Sequence, residues 1–217
     1  MPASLPTLQC KAMKLYTAPR APNPRRVDMF LAEKSAPPIE RIAIDINSGA
    51  HRTSEFLAKN PIARIPVLEL DDGRLLAESR AICTYLEGLY PEPNLMGSST
   101  DERAFIEMAD RQVEFTLLAT IANAIRHTHP GLAALEQPQF AEFGKSQFGK
   151  LAEKIRWLDD RLATQAFVAS DRFTIADITA FCGIEFARLL KWKPADIGLT
   201  HLQAWRERIA TRPSAQV

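Results

Sequence analysis

Apolar residues follow two different periods along this chain. Over residues 14–89 short alternating runs interleave with stretches at helical spacing, and from Ser99 onward the spacing is helical throughout. Residues 14–17 predict a short strand. Asn23-Pro24 predicts a helix start, with Asn as N-cap and Pro at the first helical position, and Val27, Phe30 and Leu31 give that helix its apolar face. Lys34 stands near its end and Pro37-Pro38 stop it. Residues 39–46 alternate as a second strand, and Phe56 with Leu57 anchors a short helix ending at Asn60-Pro61. Ile65-Pro66-Val67 then opens a hairpin that turns at Asp71-Asp72-Gly73, and residues 80–89 form an amphipathic helix.

The segment YPEPNLMG at 90–97 has the prolines and glycine of a linker. Ser99 with Glu102 predicts a capping box for a long helix to about Arg126, and a second helix spans about 138–163. Thr174 and Asp177 form another capping box at the head of an apolar helix, so Asp177 is expected to be a structural cap rather than a catalytic acid. The strand-helix-strand-helix-strand-strand-helix order of the first part is that of a thioredoxin-like domain. The expected fold class is therefore an α/β thioredoxin-like N-terminal domain plus an all-α C-terminal domain. The expected boundaries are a tail at 1–12, the α/β domain at 13–90, a linker at 91–98 and the helical domain at 99–217.

Composition narrows the partners. With 217 residues, 46% of them hydrophobic, the chain can bury a core, and a net charge of +1 argues against nucleic acid or an anionic membrane as the main partner. Cys10, Cys83 and Cys182 are odd in number and widely spaced, without a zinc-type cluster; no metal is expected, and a reducing, cytoplasmic setting fits better than a disulfide framework. No apolar run is long enough to span a bilayer, and the first residues lack a signal-peptide pattern.

The chemistry concentrates in ARIPVLELDDGRLLAESRAI, residues 63–82. A proline entering a strand suits a sheet edge or a cis turn, which leaves the Ile65 backbone free to face a ligand. Glu78 and Ser79 stand at a helix N-terminus, where free N–H groups and the helix dipole favour a carboxylate. Taken alone, each piece is equally an edge, a turn or a cap. The ordered combination resembles the glutathione-binding half of cytosolic glutathione transferases, and HRTSEFLAKN, PVLELDDG, HTHPGL and FTIADIT are similar to the atypical, yeast-type members of that family. The resemblance implies that the segment around Pro66 pairs with the cysteinyl backbone of glutathione. It also implies that Glu78 and Ser79 hold the γ-glutamyl end, and that His51 and Arg64 hold the glycyl carboxylate. A homodimer and a small apolar electrophile as second substrate are implied as well, although the sequence itself displays no self-complementary surface.

A glutathione transferase must keep the bound thiol as a thiolate, since a free thiol has a pKa near ~8.5. Ala21 stands where several classes of the family carry Ser or Cys, and alanine has no donor to offer. Two replacements are expected. One is Asn23 at the helix N-terminus; the other is a second-domain group, Asn123 and His127 with Arg126, in which the resemblance to the yeast-type members implies that His127 acts through water, with His129 as the alternative histidine. Leu118, Ile121, Ile125 and Phe115, with Phe181 and the segment near Trp192, are the candidate cleft wall. The function expected is conjugation of the glutathione thiolate to apolar electrophiles. The alternatives are glutathione-dependent disulfide or peroxide reduction, and a non-catalytic binding protein of the same fold.

Overall fold

The computed structural model describes residues 13–19 and 21–217. The expected tail at 1–12 with Cys10, and Arg20, lie outside the described residues. Strand β1 (Lys14–Thr17) leads into helix α1 (Pro22–Glu33), followed by β2 (Glu40–Ala43), the short α2 (Ser54–Leu57), β3 (Val67–Glu69), β4 (Leu75–Ala77) and α3 (Ser79–Leu89). The sheet order is β2-β1-β3-β4, with β1 parallel to β2 and antiparallel to β3, which in turn pairs antiparallel with β4. This is a thioredoxin-like sheet. The two-residue period sends Leu15 to the helix-covered face, whereas Tyr16 packs with Phe56 and Val67 on the other. The strand expected over 39–46 is paired only over Glu40–Ala43, and this outer strand is largely exposed.

The second domain is helical: α4 (Thr100–Val113), a π turn (Glu114–Leu118), α5 (Ala119–Thr128), α6 (Ala141–Gly149), α7 (Leu151–Leu162), α8 (Ile175–Phe186) and α9 (Thr200–Ala210). The long helix expected from Ser99 is thus interrupted by a π turn, and the one expected over 138–163 is two helices. Ser99 accepts from the Glu102 N–H as a cap, but the Glu102 carboxylate reaches back one residue further, to Ser98 N (2.8 Å). The Thr174/Asp177 capping box is present and extended: fully buried Asp177 also accepts from Val168 N (2.9 Å) and Trp205 Nε1 (3.0 Å).

Helix α1 packs on α3 within its own domain and on α8 of the other. One hydrophobic core therefore runs unbroken from Leu15, Val27 and Phe30 to Ile178, Phe181 and Trp205. Ile121, Ile125 and Phe181 belong to this core, which removes them from the expected cleft wall, and Phe115 points outward, 66% exposed. Cys83 and Cys182 are buried in it too, and burial pushes both thiols up to about 12, so they remain protonated and unreactive. Among the described residues no helix is long and apolar enough to cross a membrane, and no group of three metal-ligating side chains comes together.

Candidate active site

A cavity of about 490 Å³ opens between the two domains. Its first wall is the start of α1. Ala21, in extended backbone, is the N-cap, Pro22 the first helical residue and Asn23 the second, so Asn23 is not the N-cap that the sequence suggested. Two prolines in the sequence Ala-Pro-Asn-Pro move the helix start back by two residues. They also strip the first turn of donors. Pro22 and Pro24 have no N–H, and the Arg25 N–H is bonded to Ala21 O at 3.0 Å, which leaves the Asn23 N–H as the free backbone donor of the turn. Asn23 is exposed and lines the cavity.

Tyr16 is the tyrosine next to this helix, and it is turned away. Its hydroxyl donates to Glu69 (2.7 Å), and burial together with Glu69 pushes its pKa up to about 12, the opposite of what thiolate stabilisation would require.

The second wall is the segment before β3. The Ile65–Pro66 peptide is cis, and Arg64 and Ile65 line the cavity just before the ladder begins at Val67. His51, in a 3₁₀ turn (Ala50–Arg52), also lines it; the residue is 8% exposed and its Nδ1 has no partner among the described residues. Burial lowers the His51 pKa, and Arg52 and Arg64 lower it further, so the ring is neutral at pH 7. Arg64 is held below its usual range by burial and then by Arg126 and Arg52, while Glu136 and Glu78 act in the opposite direction.

Glu78 occupies the N-cap position of α3 without a side-chain cap bond and Ser79 is its first residue, both off the cavity wall. Glu78 is exposed at φ 68°, and Ser79 is buried, its Oγ accepting from Arg26 Nη1 at 2.9 Å. Because the oxygen is already engaged as an acceptor, the hydroxyl proton remains for an incoming carboxylate. Arg26 was not singled out from the sequence. It is 1% exposed and also donates to Glu114 Oε1 (3.2 Å), which lines the cavity from the π turn. A signal for it existed: an arginine beside Val27 on the apolar face of a helix has to find polar partners indoors.

The third wall comes from the helical domain. Leu118, Ala122 and Arg126 step by four along one side of the π turn and α5, and His129 follows the helix end. Here the expected group divides. Asn123 and His127 do not line the cavity, because each sits one residue, about 100° around the helix axis, from a cleft-facing neighbour. His127 faces α6 instead: its ring meets Phe140 and Phe143, and its Nδ1 accepts from Phe140 N at 3.1 Å. His129 is the histidine that lines the cavity on this wall. Its Nδ1 accepts from Gly131 N (3.1 Å), which assigns the proton to Nε2 and makes the neutral ring a donor there rather than a base. Phe186, Leu189, Leu132 and Leu135 add apolar surface, and Asn47 adds a polar side chain the sequence gave no reason to choose.

Comparison with known proteins agrees with this geometry. Residues 15–94 match the family described as Glutathione S-transferase, N-terminal domain, and residues 124–213 match Glutathione S-transferase, C-terminal domain. Glutathione S-transferase 2 of Saccharomyces cerevisiae is 36% identical over 94% of the chain and 88% of its own length. Two crystal structures superpose closely. A glutathione S-transferase domain-containing protein of Marinobacter aquaeolei is 41% identical with a TM-score of 0.85, covering 93% of this chain and 98% of its own. Gtt2 of Saccharomyces cerevisiae is 36% identical with a TM-score of 0.87, covering 94% and 98%.

Proposed function

Since the chain belongs to the glutathione S-transferase family, we propose that it conjugates glutathione to apolar electrophiles and activates the thiol without a Tyr, Ser or Cys. The observation that carries this reading is the convergence of Asn23, Ile65 and His129 on one cavity whose helix N-terminus begins with alanine. The backbone of Ile65 at the cis Pro66 would pair with the cysteinyl unit. Glu78 and Ser79 would receive the γ-glutamyl end, and His51 and Arg64 the glycyl carboxylate.

The sulfur then lies at the positive end of α1. The Asn23 N–H and side-chain amide donate to it directly, and the His129 Nε2–H donates through a water. A hydrogen bond to a charged group contributes about 1.5–3 kcal/mol, or roughly one to two pKa units, so these donors suffice to bring a thiol from ~8.5 to near or below neutrality. The thiol proton passes to solvent. The thiolate attacks the electrophilic carbon, a C–S bond forms, and the leaving group departs with its electron pair. Phe186, Leu189, Leu118 and Ala122 supply the apolar side of the cavity for that substrate.

A homodimer fits the exposed apolar stripe of Phe105, Met108 and Phe115 along α4 and the π turn, three large side chains that a single copy leaves open to water. A reducing, cytoplasmic setting fits the two buried free thiols.

The test is ultraviolet titration of thiolate absorbance in the glutathione complex, with turnover of an aryl halide measured in parallel. A bound-thiol pKa near 7 or below with turnover is expected, and Asn23→Ala should raise that pKa by about one unit. Binding with an unshifted pKa and no turnover would refute the catalytic reading.

A further inference from the structure

Arg64 and Arg126 come from different domains and line the same cavity. Of the charges around Arg64, that of Arg126 acts on it most strongly, and it is of like sign. A third guanidinium, Arg52, crosses between the domains to the carbonyls of Ala134 (3.5 Å) and Leu135 (3.1 Å). Against these three cations stand two carboxylates, Glu136, paired with Arg126 at 3.3 Å, and Glu78, whose effect on Arg64 is the weakest of the four charges. His51 lies beside them, nine-tenths buried, with an Nδ1 that no group among the described residues satisfies. Folding has therefore gathered like charges at a partly desolvated place lined by Leu132 and Leu135, an arrangement that is unfavourable until an anion arrives.

We propose that Arg126 is the second arm of the glycyl-carboxylate site: the carboxylate is bound between Arg64 of the first domain and Arg126 of the second, so that glutathione joins the two domains as it binds. This rests on the glutathione-binding reading given above. It also gives Arg126 a task different from thiol activation. An Arg fork donates two parallel hydrogen bonds to a carboxylate, and two such forks on one carboxylate discriminate sharply against an uncharged terminus. Glu136 holds the Arg126 fork while the site is empty and competes with the ligand for it.

The experiment uses the full chain and two ligands without a free thiol, S-hexylglutathione and its glycyl ethyl ester, titrated calorimetrically. The wild type should bind the acid at least tenfold more tightly than the ester. Arg126→Gln should weaken the acid about tenfold and leave the ester within twofold, as should Arg64→Gln. Glu136→Gln, which frees the fork, should tighten the acid and leave the ester unchanged. That last variant keeps the proposal falsifiable if Arg126→Gln proves unstable. Equal weakening of acid and ester by Arg126→Gln, no effect on either, or weaker acid binding in Glu136→Gln would each overturn the proposal while leaving glutathione binding intact. Failure of the wild type to bind either ligand would overturn the glutathione reading along with it.

Discussion

Replacing Asp177 by alanine removes more than a helix cap. The carboxylate accepts from Thr174 N (3.0 Å) and Thr174 Oγ1 (3.2 Å) at the head of α8, from Val168 N (2.9 Å) in the preceding loop and from Trp205 Nε1 (3.0 Å) on α9. All of this happens at a site with no solvent exposure. Burial raises the Asp177 pKa to about 6 against the opposing pull of these donors, so at pH 7.5 the interacting species is the carboxylate. Loss of an N-cap costs about 1 kcal/mol. The Val168 and Trp205 N–H groups would be left buried and unpaired, at roughly 1–2.5 kcal/mol each, which brings the expected loss to about 3–6 kcal/mol. That exceeds what a cap alone would give and is a large part of the roughly 5–15 kcal/mol that holds a domain folded. Urea unfolding at pH 7.5, followed by tryptophan fluorescence and by circular dichroism, measures it. A loss below about 1 kcal/mol would show that the four-donor arrangement is not what holds α8 and α9 together. Unchanged stability with lost turnover would make Asp177 catalytic and reverse the argument.

Other expectations are shorter to state. His129→Ala should raise the pKa of bound glutathione and slow turnover, whereas His127→Ala should leave turnover close to wild type and cost about 1 kcal/mol of stability through the lost hydrogen bond from Phe140 N and the lost ring contacts; the reverse pattern would restore His127 to the mechanism. His51 has a depressed pKa in the free protein, and a carboxylate beside it favours the protonated ring. Binding of S-hexylglutathione should therefore take up protons and tighten as the pH falls from 7.5 toward 6, and a pH-independent affinity would remove His51 from the site. Phe105→Glu combined with Phe115→Glu should convert a sedimenting dimer to monomer with little loss of fold, because both side chains are more than 60% exposed. An unaltered sedimentation coefficient would assign the interface elsewhere.

The features legible in the sequence were those with local causes. Pro66 announced an unusual entry to a strand because it lacks an N–H, and Thr174 with Asp177 announced a helix start by a three-residue spacing. What remained hidden depended on rotation and on distance along the chain. The choice between His127 and His129 turns on about 100° around α5, and no periodicity count predicts the π turn at Glu114–Leu118 that precedes it. Asn23 was correctly placed at a helix start, yet Pro22 took the first helical position, since a proline on each side made two starting points equally good locally. Arg26 and Glu114 stand 88 residues apart, and only packing of α1 under the second domain brings them together.

The Pro-Asn-Pro start of α1 has a consequence for the character of the thiol site. Proline fixes the backbone φ angle on either side of Asn23, so the amide proposed to meet the sulfur is aimed before any ligand arrives and would lose little freedom on binding. Most helix N-termini present several N–H groups and rely on number; this one presents a single stiff pointer. On the proposed reading, the share of thiol acidity that the first domain supplies is thereby concentrated in Asn23, apart from the groups that would hold the rest of glutathione.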